Sequence, residues 1–180
     1  MNKKKKRKQL EDRFWATFFS IDVPAQFNEL PSHLHHVRMR LWDKVIDEYL
    51  ELMVTQVKSI NMLDLDETDI TNNGIAHLAK MDFIKELRLK GIREIDADCI
   101  VHLNKIKGLE LLHVKGTSVT IDGILKLDSK PELKELFFSA KECEITKEKM
   151  LQLKKLMPGC SFTIDGKSYY FDNGEFADNV

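Results

Sequence analysis

His33, His35 and His36 stand almost side by side in the chain, and imidazoles so close together are a natural start for a zinc site. A closed site needs further ligands. Neither a Cys nor a second His pair accompanies them, so they read as surface histidines in a loop beside Pro31. Cys99, Cys143 and Cys160 are odd in number and lack CxxC spacing, which suits reduced thiols in a cytosol-like compartment. A catalytic thiol needs a base and an orienting group; Cys143 has no evident candidate for either, and Cys160 reads as a packing residue. Carboxylates abound, but none is an isolated acid in an apolar setting. There is no phosphate-cradling glycine loop, no Gly-x-Ser-x-Gly and no His-Glu-x-x-His. The expectation is a protein that binds rather than catalyses, with no cofactor and no metal.

The strongest charge feature is at the start. Lys3, Lys4, Lys5, Lys6, Arg7 and Lys8 carry +6 in a chain of net charge −1, which leaves −7 for the rest. Three readings stay open for this run: a solvated disordered tail, a contact with nucleic acid or anionic lipid, or a nuclear address. Phe14, Trp15, Phe18 and Phe19 follow at helical spacing together with Leu10. Such a helix either lies in a membrane interface or packs its aromatics under a neighbouring helix, and the second is expected. Residues 10–30 are broken by Glu11, Asp12, Arg13, Asp22 and Pro24, unlike a secretory signal. No apolar run reaches the length of a membrane-spanning helix, so a cytoplasmic protein is expected.

The elements that must position these residues are periodic. A pattern of two spaced Leu-type residues and a third two further on occurs as Ile60-x-x-Leu63-x-Leu65, Ile84-x-x-Leu87-x-Leu89, Leu109-x-x-Leu112-x-Val114 and Leu133-x-x-Leu136-x-Phe138. The step from one to the next is nearly constant at about 25 residues, the signature of stacked structural repeats. Each second half offers an apolar residue and then a helix-capping type: Ile70-Thr71, Ile95-Asp96, Val119-Thr120 and Ile145-Thr146. Apolar pairs at helical spacing follow, namely Ile75/Leu78, Ile100/Leu103, Ile124/Leu127 and Met150/Leu153. Gly74 and Gly123 hold matching positions, which suits close packing. Each unit therefore reads as strand, turn and short helix. With 43% apolar residues the chain can fill a continuous core.

The stretches LDLDETDITNNGIAHLAKM, LELLHVKGTSVTIDGILKL and LKKLMPGCSFTI resemble the leucine-rich repeat family, above all its long strand-plus-helix variety as in ribonuclease inhibitor and F-box-associated repeats. The resemblance covers about residues 58–165. It implies an α/β solenoid of about four repeats, with a parallel concave sheet and helices on the convex side. The usual Asn or Cys after the strand is missing, and Gly91 and Gly116 lie there in two repeats. IREIDADCIVHLNKI is also similar in rhythm to mitochondrial coupling factor B and related assembly factors, which would imply a mitochondrial or membrane-peripheral role.

The expected organisation is a disordered basic tail over 1–9, an N-terminal helical cap over 10–57, repeats over 58–158, and a C-terminal capping strand, hairpin and acidic tail over 159–180. Val37, Leu41, Val45, Tyr49, Leu52 and Val57 predict one amphipathic helix across 37–57, and Pro24 and Pro31 bracket a connector before it. Phe162-Thr163-Ile164 predicts a fifth strand, Asp165-Gly166 a hairpin, and Ser168–Phe171 an antiparallel return before a frayed end.

Side chains alternate along a strand, so residues between the Leu positions form an outward strip. Its rows are Met62, Glu86, Leu111 and Glu135; Asp64, Arg88, His113 and Phe137; and Asp66, Lys90, Lys115 and Ser139. Asp64 facing Arg88, and Asp66 facing Lys90, read either as solvated cross-strand ion pairs or as part of a docking surface. The docking reading makes Arg88, Lys90, Leu111, His113, Lys115, Glu135 and Phe137 the contacts for an unidentified partner protein, with Leu111 and Phe137 as exposed apolar anchors.

Overall fold

Parallel strands need a crossover long enough to bring the chain back to the same edge, and the repeat step supplies one. The computed structural model describes residues 3–19, 31–40, 45–172 and 175–178. These form an α/β fold around one open, mostly parallel sheet. Its eight strands are β1 (His33–Arg38), β2 (Ser59–Asp64), β3 (Phe83–Arg88), β4 (Leu111–His113), β5 (Glu135–Phe138), β6 (Ser161–Ile164), β7 (Lys167–Asp172) and β8 (Glu175–Asp178), in sheet order identical to chain order. β1 to β6 are parallel; β7 and β8 return antiparallel.

The register explains the periodicity. Val37 pairs with Leu63, Leu63 with Leu87, Leu87 with Leu112, Leu112 with Leu136 and Leu136 with Phe162, so that each rung lies one repeat step beyond the last. All six side chains are buried, as is the next row, Met39, Leu65, Leu89, Val114, Phe138 and Ile164. Full burial of each such side chain contributes roughly 1.5–3 kcal/mol. The crossovers hold α2 (Asp47–Gln56), α3 (Asn72–Leu78), a 3-10 turn at Ala97–Cys99 running into α4 (Ile100–Leu103), α5 (Ile121–Ile124) and α6 (Lys147–Leu156). Ile75, Leu78, Ile100, Leu103, Ile124, Leu127, Met150 and Leu153 join the same core.

The four capping residues work as their types require. Thr71 accepts from the Asn73 N–H, Asp96 from Asp98, Thr120 from Gly123 and Thr146 from Lys149. The Asn72 amide beside Asp96 is the larger influence on its carboxyl, and together with the cap it holds that group below its ordinary value. Gly74 and Gly123 are buried; a Cβ on Gly74 would fall 2.6 Å from Asp47 Oδ1, and one on Gly123 would lie 3.3 Å from Ala97 Cβ. Beyond the end of α4, Lys130 reaches back one crossover. Its Nζ donates to the Asn104 and Ile106 carbonyls at 3.2 and 3.1 Å, covering helix-end groups that lack partners within the helix.

Backbone pairing continues past the strands, where the missing Asn or Cys left a question. The Glu67 N–H donates to the Lys90 carbonyl and the Gly91 N–H to that of Lys115, at 2.8 and 2.9 Å. Side chains add rungs: Asp66 accepts from the Lys90 N–H, Ser139 from the Gly116 N–H and Asp165 from the Ala140 N–H. The chain then leaves β2, β3 and β4 through a left-handed residue, Glu67 at φ 62°, Gly91 at 77° and Gly116 at 72°.

Four expectations at the ends need correction. Of the residues expected in one helix across 37–57, Val37 lies on β1, Tyr49 and Leu52 on α2, and Val45 and Val57 flank α2. Val37 falls on the strand row that a Leu34-x-x-Val37-x-Met39 pattern shares with the later repeats, so sheet pairing overrides helical periodicity there. The histidines are therefore not in a loop but on β1. The basic run is not a disordered tail: α1 (Lys3–Phe19) begins at Lys3, consistent with the good helix propensity of Lys and with anchoring further along. The end expected to fray pairs as β8 against β7. Phe162 to Ile164, the Asp165-Gly166 turn and the antiparallel return match the expected hairpin. Leu41 and the connector around Pro24 lie outside the described residues, as do the side chains of Phe18 and Phe19.

Gly91 combines a left-handed backbone with Glu67 Cγ only 3.1 Å from where a Cβ would stand. Gly91→Ala is expected to lower stability by about 1–2 kcal/mol, read from chemical denaturation against the wild-type chain.

Candidate functional site

Alternation along β3, β4 and β5 turns one set of side chains toward the helices and leaves the other on the outer face. Register then sets the rows: Met62–Glu86–Leu111–Glu135, and Asp64–Arg88–His113–Phe137. Lys90 and Lys115 extend the third row one step beyond the strands, where Gly91 and Gly116 turn the chain. All seven expected contact residues thus fall on adjacent strands or at their ends. Arg88, Leu111, His113, Lys115 and Phe137 are half-buried, while Lys90 and Glu135 are exposed. Leu111 and Phe137 are therefore not the exposed anchors that the strip pattern suggested. The Phe137 ring lies against His113, with centroids 5.1 Å apart, and that contact covers part of it.

The charges pair differently from the facing rows. Asp64 and Asp66 are 4% and 6% exposed, and their short side chains serve the backbone. Asp64 Oδ1 accepts from the Asp66 N–H at 3.2 Å and Asp66 Oδ1 from the Lys90 N–H at 2.8 Å. Burial pushes the Asp66 carboxyl above its ordinary value, the Lys90 N–H pulls it down and the Asp64 charge raises it again. Arg40 answers Asp64 at 3.9 Å. Arg88 instead meets Glu86 on its own strand at 3.4 Å, and Lys90 meets Glu67 at 4.0 Å. Arg88 Nε is buried with no acceptor, and Lys115 has no ion-pair partner among the described residues. The expected pairs Asp64–Arg88 and Asp66–Lys90 are neighbours in register without being ion pairs.

His113 reports the resulting field. Burial, and then the cations Arg88, Lys90 and Lys115, hold its imidazole down at about 4, against a smaller opposing pull from Asp64. Three cations thus gather around His113 although the body of the chain is acidic.

Sequence reasoning missed Glu86, Glu67 and Arg40 as partners of the strip. Glu86 was within reach, because residues two apart on a strand share a face. Arg40 was hidden by the unrecognised β1. The other candidates have structural roles. His33 shares a hydrogen bond with Ser59 and His35 with Asn61 on the neighbouring strand. Among the described residues no group of three or more His, Cys, Asp or Glu is placed to hold a metal ion. Burial raises the Cys99 and Cys160 thiols to about 12, so both stay protonated; Cys143 is exposed. Lys3 to Lys8 line the exposed start of α1, where Arg7 meets Glu51 at 3.5 Å. Further along, Phe14 and Trp15 are fully buried, and Phe14 lies 5.3 Å from Tyr49 of α2. No helix among the described residues is long and apolar enough to cross a membrane.

No protein-family model matches this chain, and no curated protein is significantly similar to it.

A histidine whose folded-state pKa is near 4 rather than 6.5 favours the folded state fully only above 6.5, and that contribution is lost as pH falls from 6.5 toward 4. Urea unfolding at about pH 7 and about pH 5 should therefore show a shallower loss of stability in His113→Gln, by close to one proton's worth of slope.

Proposed function

We propose that this chain is a non-enzymatic leucine-rich-repeat module that binds a partner protein through its outer sheet face, over β3 to β5. The observation that carries this reading is the gathering of Arg88, His113 and Phe137 at one register, with Lys90 and Lys115 one row beyond, on strands held rigid by a common buried core. Electropositive and apolar groups half-buried side by side are what interface centres use. The even crossover steps, the capped short helices and the single core shared by strands and helices support the repeat assignment. The buried thiols, and the carboxylates engaged by backbone N–H groups, suit binding better than catalysis. A cytoplasmic setting belongs to this reading; an assembly factor for a membrane complex, in a mitochondrial or membrane-peripheral setting, is an alternative to it.

The test is affinity capture from native lysate with mass spectrometry, comparing wild type with the Arg88→Glu/Lys115→Glu variant. A discrete partner lost from the variant supports the strip; a partner list unchanged by both charge reversals overturns it.

The start of α1 favours a second reading, in which the chain is a peripheral membrane- or nucleic-acid-associated protein. Its first turn has no acidic residue to meet the helix dipole, and Lys3 to Lys8 are exposed along it. With Phe14 and Trp15 enclosed, the contact in this reading is made by the basic side chains. Deleting residues 1–9 should then abolish binding to anionic liposomes or to RNA, and raised salt should do the same. Binding that survives the deletion rejects this second role.

A further inference from the structure

We propose that the segment held by the strip is an acidic peptide stretch of the partner, with carboxylates seated on Arg88, Lys90 and Lys115 and an apolar side chain against Phe137. The inference rests on the protein-binding reading above and adds the chemistry of the occupant.

Unsatisfied donors argue for an incoming acceptor. Arg88 Nε is enclosed with no acceptor among the described residues, so the donors open to a ligand are the terminal N–H groups of its fork, on a side chain that is 37% exposed. The Arg88 fork is held only loosely, by Glu86 at 3.4 Å, which leaves its other N–H groups able to grip a carboxylate in a bidentate pair. Lys115 has no ion-pair partner among the described residues, and Lys90 has only Glu67 at 4.0 Å. Asp64 and Asp66 stand next to these cations but are enclosed and engaged by backbone N–H groups, so they do not compete at the surface. His113 stands among the three cations; burial is the main reason its imidazole stays neutral, and Arg88, Lys90 and Lys115 add to it.

The same charges argue against a long polyanion. Outside the N-terminal run the chain carries −7, and within the strip Glu86 and Glu135 stand in the row beside the cations while Glu67 meets Lys90. A nucleic acid backbone would meet those carboxylates on either side of the cations. A short segment with a few carboxylates meets fewer of them and can seat its charges on Arg88, Lys90 and Lys115. The half-buried Phe137, tilted against a neutral imidazole 5.1 Å away, adds an apolar patch that a phosphate backbone does not use.

The test is NMR of the full-length chain with labelled histidine rings, titrated at low salt. The probes are the peptide acetyl-Asp-Glu-Phe-Glu-Asp-amide, the counterpart with Lys at each acidic position, and a short oligouridine. The acidic peptide is expected to shift His113 and leave His77 and His102, on the helix side, in place. Arg88→Glu with Lys115→Glu should weaken that binding by roughly tenfold or more. Lys115→Glu alone, which removes no ion pair among the described residues, should weaken it with the fold intact by circular dichroism. No shift at His113 with the acidic peptide, an equal shift with the Lys peptide, or a stronger response to oligouridine overturns the proposal. Loss of a captured partner from the strip variant, with the binding segment mapping to a basic or purely apolar stretch, also overturns it while the protein-binding reading stands. Capture indifferent to the strip removes both.

Discussion

The constraint beneath this structure is the register of one parallel strand on the next. A parallel neighbour cannot be reached by a tight turn, so each strand must be followed by a crossover that returns to the same end of the sheet. Here the return from rung to rung takes about 25 residues, the length of one strand-turn-helix unit. The distance leaves room for a short helix and little more. Short helices are weak alone, which is why a capping Thr or Asp stands before so many of them and why neighbouring crossovers supply further bonds, as Lys130 does for the carbonyls of Asn104 and Ile106. Positive-φ turns at Glu67, Gly91 and Gly116 stack for the same reason: each begins the same return path.

The strip inherits its geometry from that register. Because Leu87, Leu112 and Leu136 are locked side by side in the core, the residues one step along each strand stand in a row on the other face. Arg88 and His113 meet across strands although a whole crossover separates them in sequence. Turning the charges of that row inward would require a one-residue slip of a strand, which would also expose its buried rung. Core packing therefore fixes the spacing of the outer groups.

What was legible in the sequence is what recurs. The rows from Ile60 to Phe138 and the caps Thr71, Asp96, Thr120 and Thr146 could be read because the same demand is met several times with the same residue types. The first strand escaped because Val37 serves two patterns. It lies on a helical period with Val45, Tyr49 and Leu52, and on the sheet row with Leu63. Only pairing with β2 decides between them. Charge partners escaped for another reason. Register told which residues face one another, but an Asp is short enough to turn onto the neighbouring backbone, so the long side chains of Arg88 and Lys90 went to Glu86 and Glu67 instead. The single-residue choice between a side-chain and a backbone partner leaves no periodic trace.

The identity of sheet order and chain order bears on how the molecule forms. Each parallel strand needs only its predecessor as a template, so the entropic cost of bringing two strands together is that of closing a single crossover, however far the pair lies from either terminus. No step waits for distant segments to find each other. A nucleus of two adjacent strands between β2 and β5 can recruit the next on either side. The proposed recognition surface, lying over that middle stretch, is complete once β3, β4 and β5 have docked, before the antiparallel end has closed.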